Sequence, residues 1–185
     1  MALTLERIEA IAAAQAKLLR IQAPRRLGLW NLRVVVARPR PGQGPLLLGD
    51  LKGWAMPTAA GLHLDTLRIQ GQETAGVGDL IWAATFAWAL QCTPCRRAWL
   101  LAIRDRERQH ARLVRYFQQR GFGPHRQLGA AVSDLPGRLL WGGSGLLMVG
   151  DCLEGLNRCE RRLQQSAGPL GPDPQGSGAA APGRP

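Results

Sequence analysis

Lysine is nearly missing from this chain. Of 24 basic residues, set against 13 acidic ones, only Lys17 and Lys52 are lysines and the rest are arginines. The resulting formal charge of +11 bears on solubility and association before it bears on fold. Arginine in place of lysine, alongside abundant alanine, glycine and proline, is what a GC-rich genome gives by codon drift. That reading outweighs a selected nucleic-acid surface. Also absent is any run near the roughly 20 apolar residues that would cross a bilayer. Glu6, Arg7 and Glu9 interrupt any signal-peptide core, and the two glutamates count against an organelle transit peptide. These absences predict a cytoplasmic chain with no membrane partner. Cysteine is sparse: Cys92, Cys95, Cys152 and Cys159. The first two form a CxxC pair, but no His or Cys lies at finger-like spacing from it, and Pro94 favours a tight turn. The expectation is ordinary thiols and no metal site.

What is present suffices for a core. The 185 residues are 45% hydrophobic and 20% charged, which fits one folded domain over 1–165. Residues 166–185 hold Gly, Pro, Ala and Ser with almost no large apolar side chain, and predict a disordered tail.

Thr4 is placed to cap a helix running to about Ile21, with Leu5, Ile8, Ile11 and Ala12 on one face. Leu32–Arg38, Leu46–Met56 and Leu62–Ile69 read as strands between Pro- and Gly-rich turns. In the last of these, the apolar parity slips between Leu64 and Leu67, as a β-bulge requires. A polar loop from Gly71 to Gly78 then opens a helix over Asp79–Gln91 that is apolar nearly all round, hence buried. Ala98–Ile103 reads as a buried strand, and Glu107–Arg120 as an amphipathic helix closed by Gly121. Its Arg108, Arg112, Arg115 and Gln119 stripe reads as a solvated face. Two strands follow, Phe122–Leu128 and Arg138–Val149, the second broken by Gly142, Gly143 and Gly145, and then a short helix over Cys152–Leu163. This order predicts an α/β (α+β) domain with a mixed, mostly antiparallel sheet flanked by helices.

Over Leu62–Phe122 the chain resembles the GNAT superfamily of acetyl-CoA-dependent N-acetyltransferases. The resemblance rests on a strand ending Leu67-Arg68-Ile69, the turn Glu73-Thr74-Ala75-Gly76-Val77-Gly78 opening a helix, the strand Ala98–Ile103, and a helix ending Arg120-Gly121-Phe122. It implies an acyl-CoA N-acyltransferase-like fold and acetyl transfer to a primary amine. Gly76, Val77 and Gly78 would hold the cofactor's pyrophosphate through helix-start amides. Leu67, Arg68 and Ile69 would hold its pantetheine arm, and Asp65 or His63 would accept the amine's proton. Homodimers are common in that family.

The chain departs from the family in three places. Glu73 stands where Arg or Gln is usual, and Asp79 sits at the helix mouth. A carboxylate there costs about 2 to 3 kcal/mol against each phosphate charge, at roughly 6 Å and an effective dielectric near 20. Asp79 alone is a favourable helix-start acid, and Arg68, Arg96 or Arg97 would have to compensate for bound phosphate. Phe117 occupies the position of the family's proton-donating Tyr, with Tyr116 about 100° round the helix. His110 stands where an Asn commonly bonds the cofactor arm. It replaces that bond, supplies the missing acid, or is a core-edge histidine. The rival reading is a GNAT-like fold that has lost catalysis and binds a partner through its arginine stripe or the exposed part of Trp82, Trp88 and Trp99. Nucleic-acid association through net charge is a third.

Overall fold

A computed structural model describes residues 3–71, 74–104 and 107–166, with Glu107 described by its backbone alone. Glu73, and the expected tail beyond Ser166, lie outside the described residues.

The chain runs α1 (Leu5–Ala14), β1 (Leu18–Gln22), β2 (Arg25–Arg26), β3 (Leu29–Arg40), β4 (Gln43–Ala55), β5 (Leu62–Ile69), α2 (Val77–Cys92) and β6 (Arg97–Ile103). It continues with α3 (Glu107–Gln119), β7 (Phe122–Leu128), a 3-10 turn at Val132–Asp134, α4 (Leu135–Trp141), β8 (Gly145–Asp151) and α5 (Cys152–Ser166). The main sheet order is β1-β3-β4-β5-β6-β8-β7, with β2 on β3. Every pairing is antiparallel except β5 with β6. The architecture is therefore the mixed, mostly antiparallel α/β sheet that the element order predicts.

Two stretches differ from expectation. The first helix is capped by Thr4, whose hydroxyl accepts from the Arg7 N–H at 3.3 Å, but it ends at Ala14 and not near Ile21. Ala16 takes a left-handed φ of 53° and turns the chain into β1. There Leu19 is buried while its neighbours are exposed, a period-two pattern that pairs with β3. The expected strand over Arg138–Val149 is a helix followed by a strand. Gly142, at φ 73°, is the left-handed residue that closes α4 and not a flaw in a strand. The bulge falls as expected: Lys52 pairs with Thr66 and Gly53 with Leu64, leaving Asp65 as the extra residue of β5.

The core gathers around α2, whose residues from Val77 to Ala89 are nearly all buried. Trp82 stacks on Phe86 and meets Phe117 and Phe122 with centroids 5.5 to 6.2 Å apart. Each such ring contributes about 1.5–3 kcal/mol by leaving water. Strand alternation sends Leu62 and Leu64 into this core and His63 to the opposite face, where it meets Trp141 of α4. Among the described residues no helix is long and apolar enough to cross a membrane.

The helices α2 and α5 touch where Gly155 faces Phe86. A Cβ there would lie 2.5 Å from the Phe86 ring, so Gly155→Ala should destabilise by about 1–3 kcal/mol through overpacking. A lower urea midpoint at unchanged slope is expected; an unchanged midpoint would deny the close approach. The four cysteines are unpaired, with Cys92 exposed and the others buried. Burial pushes the Cys152 and Cys159 thiols up to about 12, where little thiolate exists at neutral pH. A thiol reagent should therefore label Cys92 quickly in the native protein and leave Cys152 and Cys159 intact until it unfolds.

Candidate functional site

Strands β5 and β6 pair over Leu62–Ala98, His63–Trp99 and Leu64–Leu100 and no further. Beyond those pairs β5 stays bonded to β4 as far as Ile69, and β6 to β8 as far as Ile103. The two halves of the sheet thus part as a wedge, beginning at the Asp65 bulge. The wedge contains a cavity of about 30 Å³, lined by Leu64–Leu67 of β5, Leu100 and Leu101 of β6, and Leu51, Trp82 and Phe117. That is room for one water and little else.

Asp65 stands at this cavity with its side chain open to solvent. Partial desolvation raises its pKa, and a hydrogen bond from the Trp54 indole opposes that shift without cancelling it. The carboxylate is therefore a somewhat stronger base than an ordinary aspartate. His63 is differently placed. Its ring lies flat on Trp54, centroids 3.9 Å apart at 2°, with Trp141 at 5.1 Å on another side. Burial lowers its pKa to about 4, and Nδ1 is enclosed with no partner among the described residues. At neutral pH it is an uncharged aromatic plate, held away from the cavity that Asp65 lines.

The loop before α2 ends in Gly76, whose φ of 74° makes it a left-handed helix cap. The Val77 amide donates to the Thr74 carbonyl and the Leu80 amide to the Gly76 carbonyl. The amides of Gly78 and Asp79 are left without a helical acceptor. Lys17 reaches across from the α1–β1 turn: its Nζ donates to the Ala75 carbonyl and to Gln15 Oε1, both at 2.8 Å. Burial, then repulsion from Arg38, lowers the Lys17 pKa.

Asp79 is ion-paired with Arg120, which is itself buried. Desolvation works against the Arg120 charge, but the Tyr116 phenol and the Asp79 carboxylate more than offset it, so its pKa rises. The acid at the helix mouth is thus neutralised, and by none of the three arginines expected for the task. Arg68 is exposed beside Asp50 in the ladder, Arg96 binds the Thr93 and Cys95 carbonyls past the far end of α2, and Arg97 opens β6 near His125. Spacing could not single out Arg120, because it comes from the turn after α3.

On α3, Phe117 is buried in the aromatic core. His110 Nδ1 lies 3.2 Å from the Ile103 carbonyl and ties the helix to the end of β6, outside the cavity lining. Tyr116 accepts a hydrogen bond from the Trp82 indole at 2.9 Å and carries Arg120 over its ring. Its hydroxyl also faces Gly78. Beyond it opens a hollow of about 660 Å³ lined by Arg108, Gln109, Arg112, Leu113 and Tyr116. The arginine stripe is exposed, as a solvated face should be, and its Arg108 and Arg112 also line this concavity.

The His63 environment has a pH consequence. Its folded pKa lies below the unfolded value of 6.5, so the unfolded chain takes up the proton first as pH falls. Stability from this site is whole above pH 6.5 and is lost as pH falls towards 4, by about 1–2 kcal/mol once partial solvent access is discounted. His63→Phe should flatten the acid side of the stability–pH curve in that window. An identical slope in the variant would mean the imidazole is not enclosed.

No family model and no curated protein matches the chain. Its backbone is similar to a solved structure of an uncharacterized protein from Bacillus halodurans, at 14% identity and TM-score 0.45, over 76% of this chain and 68% of that one.

Proposed function

We propose that the chain is a GNAT-like acyltransferase that moves an acetyl group from acetyl-CoA to a primary amine. The observation that carries this reading is the wedge. It leaves the inner edges of β5 and β6 without strand partners beyond Leu64 and Leu100, and sets the Asp65 carboxylate at its opening. Unpaired strand edges bind extended amide-containing groups by adding hydrogen bonds. On this reading Leu67, Arg68 and Ile69 receive the pantetheine arm.

The donor groups suit the nucleotide end of the co-substrate. Gly76 opens a helix start with open amides, Asp79 is already neutralised by Arg120, and Arg108 and Arg112 line the adjoining hollow. The acyl end fits less well, since the cavity of about 30 Å³ admits a thioester only if a side chain gives way. Asp65 takes the amine's proton, directly or through a water. Phe117 has no proton to donate, His110 is engaged by the Ile103 carbonyl, and Tyr116, whose O–H stays free while it accepts from Trp82, does not line the cavity, so the departing thiolate takes its proton from solvent. A second reading follows from those last facts: a GNAT-like domain that binds CoA or a partner without turnover.

Acetyl-CoA at 100 times its Kd should raise the melting temperature by about 5–10 °C for a chain of this length. Arg108→Ala with Arg112→Ala should reduce that rise, and no rise in the wild type would remove the CoA reading. Asp65→Asn should keep the thermal shift but lower amine acetylation about 100-fold. A shift without turnover on any amine would select the non-catalytic reading.

A further inference from the structure

Beside the hollow on α3, a second concavity of about 230 Å³ runs between α3 and α5, lined by Gln119, Arg158, Arg161, Arg162 and Gln165. Three features set it apart from a scattered basic surface. Every lining side chain offers hydrogen-bond donors, no carboxylate lines it, and no apolar residue does. Arg158, Arg161, Arg162 and Gln165 recur at helical spacing along one face of α5, so their donors follow one line over two turns. Arg158 is held by Glu154 on α5 and packs against Gly121. Among the described residues Arg161 and Arg162 make no ion pair.

We infer that this groove binds the phosphate backbone of a single-stranded nucleic acid. A lone phosphate would meet one or two of these donors and leave the rest; an extended polyanion meets them in series. A membrane surface would call for apolar side chains to insert beside the arginines, and the groove has none. The donors form a single row along one face of α5 beside the end of α3, which matches the backbone of one strand. The inference does not depend on acetyl-CoA binding, because none of its residues holds that ligand.

The test uses the full chain and a fluorescein-labelled 20-mer of oligouridine, followed by anisotropy across a potassium chloride series. Affinity should fall with salt along a straight log–log line. Arg161→Ala with Arg162→Ala should weaken binding on the order of tenfold and make the slope shallower by about 1.4, two contacts fewer on a single strand. The Lys pair at the same positions should restore most of the slope. Arg25→Ala with Arg26→Ala, on β2, should leave both unchanged. A melting temperature equal to wild type shows that each variant is folded, and the acetyl-CoA shift should persist in all of them. The groove is overturned by equal losses in the two alanine pairs, by salt-independent binding, by a duplex bound more tightly, or by polyglutamate displacing the oligonucleotide as well as unlabelled oligouridine does.

Discussion

The parting of β5 from β6 is the constraint on which the rest of this structure depends. Parallel neighbours need a crossover, and here α2 supplies it, lying across the sheet with almost its whole circumference buried. That helix leaves the end of β5 and enters the start of β6, and the two strands form three pairs, at Leu62–Leu64. Two features then prevent more. The bulge at Asp65 increases the local twist of β5, and the rings of Trp82 and Phe117 stand at the gap where a fourth pair would close. The wedge is therefore a product of core packing and is not a loosely formed edge.

Electrostatics at the start of α2 follow from the same crossover. Bringing α3 and the Arg120 that follows it against α2 places a guanidinium on Asp79 and the Tyr116 hydroxyl on the Trp82 indole. A buried ion pair adds little net stability against an apolar alternative, but removing one partner is costly because the other charge stays behind. The pair thus links the α3–β7 turn to the helix mouth, and it leaves the local charge near neutral where an isolated acid would repel anions. Lys17 adds a cation to the same loop from the opposite side, positioned by the left-handed Ala16.

Much of this was legible in the residues, because local rules determine it. The parity slip between Leu64 and Leu67 marked the bulge, the all-apolar run marked the buried helix, and the Gly-containing turn before it marked where that helix opens. What failed was decided by distant partners. Leu18–Gln22 carried both a helical continuation and a period-two pattern, and the available edge of β3 selected the strand. Gly142 read as a broken strand until the helix it closes was in view. The pairing of Asp79 with Arg120, and the approach of Trp141 to His63, join residues far apart in the chain. No spacing rule reaches across such separations. The volume of the cavity is likewise a sum over strands and helices that no single segment encodes.

The smallness of that cavity and the openness of the wedge are reconciled by asking which wall can move. Trp82 is fixed at both ends, its indole N–H on Tyr116 and its ring between Phe86 and Phe122. Phe117 is buried against the same cluster, and a packed aromatic core resists displacement. Leu67 is only partly buried, on the strand that has already lost its neighbour, and turning its side chain outward exposes a single aliphatic group at about 1.5–3 kcal/mol. A hydrogen bond is worth about 0.5–1.5 kcal/mol net, so a few new ones along the inner edge of β5 would offset that exposure. The aromatic side of the wedge is its fixed wall, and any extended guest must be admitted by β5.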